Sequence, residues 1–331
     1  MNKIKLGVIG VSGHFLERIM LPLSKSETVE VVALASRNIK KAEKAAADWD
    51  VKKAYGSYEA ILSDNEVEAV YIPLPNHLHL EWIKKSIDAG KHVICEKPLT
   101  LTDDETLELI EYSKDKEPIV MEAFMYGFHP KWQMVKELLK VSGIGQVKSI
   151  HTIFSYTNND PKNIRNIKEY GGGALMDIGC YAISSARFIL DEEPLKVMAL
   201  NSYSESFGTD TLASGIMAFE NARALFTVST DQYPAQEVKV YGTGGVLDIV
   251  IPFNDYYDMP GQIKVTNAMG TRTIEFEPTN QYGEMFNAFA AAIRAGKKSP
   301  ISLENSYMNM HIISQLKKSG ESGLWEIIQK L

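Results

Sequence analysis

Ile4-Lys5-Leu6-Gly7-Val8-Ile9-Gly10-Val11-Ser12-Gly13 decides the fold. A short apolar run ends at a glycine-rich turn. Glycines at such a strand-to-helix junction let backbone amides approach a pyrophosphate. The strict G-x-G-x-x-G spacing is absent, because Ser12 stands where the second glycine would be. A serine still offers its amide and a hydroxyl to phosphate. Alone, the stretch reads equally as an ordinary tight turn, and its neighbours decide the matter.

Outward from this turn, strand and helix signals alternate. Strand-like runs at Val29–Ala35, 67–72, His92–Cys95 and 119–122 interleave with helical patterns at 42–49, 58–63, 78–89 and 102–113. Thr100 or Thr102 caps the last of these helices. Such alternation predicts a parallel sheet covered on both faces. After residue 122 the pattern changes. A helix is expected at 130–141, an alternating strand at 147–156, and a glycine-led helix running to 190. Strand-like stretches then follow one another from 196 to 276 without intervening helices, and helices at 282–294 and 303–317 close the chain. The expected fold is α/β. Residues 1–122 form an N-terminal Rossmann domain with a doubly wound parallel sheet. Residues 123–331 form a C-terminal α/β substrate-binding and oligomerisation domain with a large, mostly antiparallel open sheet.

The size of the chain, 331 residues, itself favours two domains, because single cores stop growing near this length. A formal net charge of −7 argues against a nucleic-acid or anionic-membrane surface, since both reward clustered Lys and Arg. No secretory leader pattern opens the chain, and its longest unbroken apolar runs fall short of the roughly 20 residues of a spanning helix. A cytoplasmic protein is the expectation. Cys95 and Cys180 make no disulfide framework and read as buried, inert thiols.

Two further motifs carry chemistry. Glu96-Lys97-Pro98 follows the strand His92–Cys95 directly, and Gly171-Gly172-Gly173-Ala174-Leu175-Met176-Asp177-Ile178-Gly179-Cys180-Tyr181 opens a helix. An ammonium beside a phenol favours phenolate, drawing a tyrosine pKa from about 10 toward neutrality, so Lys97 with Tyr181 suits proton transfer. Asp177 precedes Tyr181 by four residues, which on an α-helix places both on one face. Each also has a plain structural reading: Lys97 as a solvated loop residue, Tyr181 as a core aromatic, Asp177 as a helix cap. At the end of the second strand, Ser36 and Arg37, with Lys40 nearby, stand where a free ribose 2′-hydroxyl usually meets a carboxylate. That set suits a 2′-phosphate, so NADP(H) is favoured, with NAD(H) as the alternative. His77-x-His79 lacks a partner set for a metal, and none is expected. His129, Trp132, Phe154 and Tyr156 are open between packing and pocket lining.

Read together, the motifs resemble the Gfo/Idh/MocA oxidoreductases. The likeness rests on Gly7-Val8-Ile9-Gly10, Ile72-Pro73-Leu74-Pro75-Asn76-His77-Leu78-His79, Cys95-Glu96-Lys97-Pro98-Leu99, Met121-Glu122-Ala123-Phe124-Met125-Tyr126 and the Gly171 run, in register from residue 4 to about 305. Tyr181 makes the chain look most similar to the branch containing glucose–fructose oxidoreductase, dimeric dihydrodiol dehydrogenase and xylose dehydrogenases. The resemblance implies hydride transfer to or from a sugar, polyol or related secondary alcohol, and a homodimer or homotetramer. It implies catalytic roles for Lys97, Tyr181 and Asp177. It implies a cofactor site drawn from Gly7, Gly10, Val11, Ser12, Gly13, Ser36, Arg37, Leu74, Asn76, His79, Glu96, Lys97 and Arg165. Gly127 and Gly283 stand where arginines are familiar in this branch. Two alternatives stay open: a nucleotide-binding regulator without turnover, and a redox-assisted glycosidase with tightly held cofactor. The sequence does not name the sugar.

Overall fold

The computed structural model describes residues 2–141 and 143–331, which form two compact units. The first comprises the chain up to Met125 together with Tyr282–Tyr307. Its strands are β1 (Ile4–Ile9), β2 (Val29–Ala35), β3 (Lys53–Tyr55), β4 (Ala69–Ile72), β5 (His92–Cys95) and β6 (Val120–Glu122). They form one sheet in the order β3-β2-β1-β4-β5-β6, and every pairing is parallel. The Ile, Val and Leu residues of β1, β4 and β5 are buried almost without a break, as strands covered on both faces require. Strand order reverses between β1 and β4, which opens a crevice at the carboxyl ends of the strands.

Register then sets which residues meet at that crevice. Ile9 lies opposite Ala35, Ile72 opposite Cys95, and Cys95 opposite Glu122. The residues that follow each strand, namely Gly10, Ser36, Pro73, Glu96 and Ala123, therefore emerge along one edge. Of the two capping candidates, Thr102 is the one that caps, because its hydroxyl accepts from the Glu105 amide at 3.2 Å.

The expected division at residue 122 differs from the packing in one respect. The segment Tyr282–Tyr307 returns to the first unit. Its helix, Gln281–Arg294, sets Phe286 against Tyr71 with ring centroids 5.5 Å apart, and Arg294 donates to Glu68 at 2.8 Å and to the Lys3 carbonyl at 3.0 Å. The apolar stripe that makes the helix legible does not announce which sheet it covers.

The second unit holds β7 (Val147–Thr157), β8 (Lys196–Tyr203), β9 (Asp210–Ala218), β10 (Arg223–Ser229), β11 (Asp231–Gly242), β12 (Gly245–Val250), β13 (Gly261–Asn267), β14 (Gly270–Phe276) and β15 (Glu326–Ile327). Their order is β14-β13-β12-β11-β7-β10-β9-β8-β15, antiparallel throughout except between β7 and β10. β7 alternates as its sequence predicts: Ile150, Thr152 and Phe154 are buried, whereas His151 and Ile153 face outward. The helical run 168–190 is long and apolar enough to cross a membrane by length and composition, which a search for unbroken apolar runs misses. Most of it is buried within this unit, the ordinary condition of a core helix.

His129 and Trp132 are packing residues. The His129 ring accepts from the Lys131 amide at 3.1 Å, and its other nitrogen lies 3.1 Å from Asp255. Burial, reinforced by the Lys131 charge, pushes its pKa down to about 4. Trp132 donates to the Pro252 carbonyl at 2.8 Å and stacks on Phe253.

Candidate active site

The glycine-rich turn has the backbone its composition predicts. Gly10 has φ +109°, and a Cβ there would come 2.6 Å from the Leu74 side chain, so only glycine fits. Leu74, 7% exposed, thus serves the site by closing the floor of the turn. Gly7 is buried within β1, and Val11 is 4% exposed, which leaves Ser12 and Gly13 as the accessible part of the turn. The Ser12 hydroxyl accepts from the Phe15 amide at 3.1 Å. At the next strand end Ser36 is buried, its oxygen accepting from the Asn38 amide at 3.2 Å, whereas Arg37 is exposed. Burial first, and then the Arg37 charge, lower the pKa of His77, weighed from sequence only as a metal ligand. The residues fit a dinucleotide: an open positive-φ turn at the carboxyl end of β1, and an exposed arginine without an acidic neighbour in sequence at the end of β2.

Lys97 is half-buried just beyond β5. The preceding Glu96 is held from below, since its amide donates to the Ile72 carbonyl at 3.1 Å and its carboxylate accepts from the fully buried Tyr71 hydroxyl at 2.6 Å. The His14 ring lies 4.0 Å from the same carboxylate oxygen and 3.4 Å from the Tyr282 hydroxyl. Sequence reading misses the grouping of Tyr71, His14 and Tyr282 about Glu96, because each lies on a different element. Asn76 is half-buried in the short helical turn after β4.

His79 requires a correction. It is expected to touch cofactor, yet it is wholly buried, with its two ring nitrogens 2.9 Å from the Pro98 and Leu74 carbonyls. Burial lowers its pKa, opposed by those carbonyls and by the Glu96 charge. Its role is to tie the loop after β4 to the loop after β5. The same contacts remove it as a metal ligand. Cys95 is equally inert, burial holding its thiol far above the usual range.

The remaining predicted residues belong to the second unit. The glycines of the Gly171 run have a steric cause. A Cβ on Gly172 would strike the Arg165 carbonyl, and one on Gly173, at φ +118°, would strike the Asp210 carboxylate. Asp210 accepts from the Leu175 amide at 2.7 Å, satisfying the start of the helix and complementing its dipole. The Gly173 amide donates to the Arg165 carbonyl at 2.9 Å, bringing the preceding loop against the helix.

In consequence Arg165 Nε lies 3.1 Å from one Asp177 oxygen, while the Tyr156 hydroxyl donates to the other at 2.6 Å. Asp177 is therefore an oriented acceptor, not a helix cap. Arg165, expected at the cofactor, is engaged by Asp177 within the second unit. Burial first, and then the Asp177 charge, hold the Tyr156 phenol far above neutrality, so it remains a donor.

The expected α-helical face of Asp177 and Tyr181 is also modified. Leu175–Gly179 is a π-helical turn, and the α-helix Cys180–Leu190 begins only before Tyr181. The Tyr181 ring is 5% exposed and packs against Tyr126, Phe154 and Phe253, with centroids 6.0, 5.7 and 5.2 Å away. Phe154 thus belongs to the wall around Tyr181. Among the described residues no grouping of three or more His, Cys, Asp or Glu could hold a metal.

Comparison with known proteins adds to this geometry. A family model described as an oxidoreductase family with an NAD-binding Rossmann fold matches residues 4–124, and a GFO/IDH/MocA C-terminal domain model matches residues 132–248. An uncharacterized oxidoreductase of Rhizobium meliloti is 37% identical across 99% of this chain and 100% of its own. A D-xylose 1-dehydrogenase (NADP(+)) of Haloferax volcanii is 37% identical across 96% of this chain and 97% of its own. Among solved structures, a tyrosine-to-phenylalanine variant of a 3-ketoreductase from Actinomadura kijaniata, in complex with TDP-benzene and NADP, superposes with a TM-score of 0.91. It is 26% identical over 96% of this chain and 98% of its own.

Proposed function

Because the chain belongs to the Gfo/Idh/MocA oxidoreductase family, we propose that it transfers a hydride between a nicotinamide dinucleotide and a sugar, polyol or related secondary alcohol, with Tyr181 as acid/base and Lys97 as its electrostatic support. The observation that carries the reading is the oriented Asp177 carboxylate, held by Arg165 and Tyr156 at the head of the helix that bears Tyr181. The named activities of the relatives agree with it. The 3-ketoreductase has also been solved with a lysine replaced by alanine and with a tyrosine replaced by phenylalanine. Those two positions are as far apart along its chain as Lys97 and Tyr181 are here.

When bound, the dinucleotide supplies the hydride acceptor or donor at nicotinamide C4. Ser12 and Gly13, with the backbone of the turn, would hold its phosphates, and Arg37 its 2′-phosphate. Tyr181 removes the hydroxyl proton as the carbinol carbon loses its hydride, and the alcohol becomes a carbonyl. In the reverse direction Tyr181 returns the proton to the developing alkoxide. Lys97 stabilises the phenolate. Asp177 accepts a hydrogen bond from a substrate hydroxyl and fixes its orientation. Tyr156, whose hydroxyl donates to Asp177 and whose burial raises its pKa, does not compete for the acid/base role. Incubating the protein with NADP⁺ and a panel of aldoses, polyols and dihydrodiols, and with NADPH and the corresponding carbonyl compounds, while following nicotinamide absorbance, tests the reading. No absorbance change with any member, in either direction, would overturn it.

Cofactor choice follows from the end of β2. NADP(H) is expected to bind at least about tenfold more tightly than NAD(H), since charge-assisted hydrogen bonds contribute roughly 1.5–3 kcal/mol each. Arg37→Ala should abolish most of that preference. Calorimetric titration showing equal or tighter NADH binding to the unaltered protein contradicts the assignment.

Assembly follows from the outer face of the larger sheet. Register lines up Ile153, Thr227, Ser214 and Leu200 across four strands, beside a second row of His151, Leu225, Ile216 and Met198. Leu200 is 74% exposed and Ile153 41%, costly positions for such side chains in water. Two copies joined face to face about a two-fold axis would bury both rows. Light scattering at micromolar concentration should therefore report at least twice the chain mass of 36.9 kDa. A monomer would remove the proposal.

A further inference from the structure

We infer that Tyr71 and Glu122 are positioning residues for Lys97, holding from within the sheet the Glu96 side chain before it and the Leu99 backbone after it. The inference rests on the proposed role of Lys97. Lysine carries its charge on a flexible four-carbon stem, so the placement of its ammonium depends on how firmly its Cα is held. Two buried polar side chains grip the residues that flank it. On the N-terminal side the Tyr71 hydroxyl donates to Glu96 at 2.6 Å. Burial, together with the Glu96 charge, holds that phenol well above its ordinary pKa, so it acts as a donor only. On the C-terminal side the Leu99 amide donates to Glu122 Oε1 at 2.9 Å.

Both residues sit beneath the loop rather than in the crevice. Tyr71 is 0% exposed and Glu122 is 2% exposed. Glu122 closes β6 directly opposite Cys95, the last residue of β5, so its carboxylate lies under the turn that Lys97 begins. Burying a carboxylate is costly unless hydrogen bonds compensate. An apolar side chain would fill the same volume of core, but it would leave the Leu99 amide without this acceptor. The pair therefore fixes the path of the chain through Lys97, and neither residue needs to touch substrate or cofactor.

The test is a pair of double-mutant cycles against Lys97→Met, read as NADPH affinity by fluorescence titration and, where turnover persists, as kcat. Tyr71→Phe removes one hydroxyl. Glu122→Met removes the acceptor at similar volume, and Glu122→Gln restores it. Tyr71→Phe and Glu122→Met should each weaken NADPH binding and lower kcat about tenfold, with substrate KM within about twofold. Glu122→Gln should recover most of the loss. In the Lys97→Met background the same changes should alter NADPH affinity by less than about twofold. Full additivity in both cycles would overturn the inference, because it would show a purely structural role. If Lys97→Met itself leaves NADPH affinity and turnover unchanged, the reading of Lys97 fails instead. Should Glu122→Met not fold, the Tyr71→Phe cycle decides the question by itself.

Discussion

Tyr181→Phe is expected to lower kcat by about 10²–10⁴-fold, the span of a lost general acid/base, while leaving dinucleotide affinity nearly unchanged. The change removes one oxygen from a ring that Tyr126, Phe154 and Phe253 already hold by its edges and faces. Phenylalanine keeps those ring contacts, and a thermal melt beside the kinetics reads any change in folding separately. The deficit should then lie in the proton transfer alone. Steady-state kinetics on whichever substrate the panel identifies, beside a fluorescence titration of NADPH, separate the two effects. Turnover within a few-fold of the unaltered enzyme would refute the assignment. Tyr156→Phe is the informative control, because it removes one donor to Asp177 without removing the acid/base.

Lys97→Met should be comparably damaging, but with a different signature. The proposed ammonium both stabilises the phenolate of Tyr181 and contacts the nicotinamide end of the cofactor. Losing a charge aimed at a developing anion costs about 10²–10³-fold in kcat, and here NADPH affinity should fall as well. Methionine preserves most of the length and bulk of the stem while removing the charge. Lys97→Arg restores the charge on a longer, planar head and should recover only part of the loss. A variant that loses turnover yet binds NADPH as before would separate Lys97 from cofactor placement. One that keeps full turnover would remove it from the mechanism.

Much of the proposed site is legible in sequence because its parts are local. Gly10 needs a left-handed backbone, and glycine in a strand-to-helix turn declares that need. Lys97 is found by its place just beyond a strand end, and Asp177 and Tyr181 by the glycines ahead of their helix. His79 is misread for the same reason. It stands among residues that border a cofactor loop, and only its side chain's direction separates a ligand contact from a buried tie between two loops. Arg165 shows the converse. Its position before the glycines is plain, but its pairing with Asp177 exists because Gly172 admits the Arg165 carbonyl and the Gly173 amide donates to it.

The sequence by itself determined the alternation of strands and helices, the change of architecture after residue 122, the dinucleotide turn and the lysine and tyrosine of the proposed proton path. Each depends on periodicity, or on backbone demands that span a few residues. Only the tertiary structure decided that the helix Gln281–Arg294 covers the first unit's sheet, that Tyr71 and Glu122 grip the Lys97 loop, and that Tyr156 and Arg165 divide the two oxygens of Asp177. These partners lie on strands and loops made neighbours by sheet order and register. The energy that selects them is the burial of polar groups far apart in the chain, which leaves no local pattern to read.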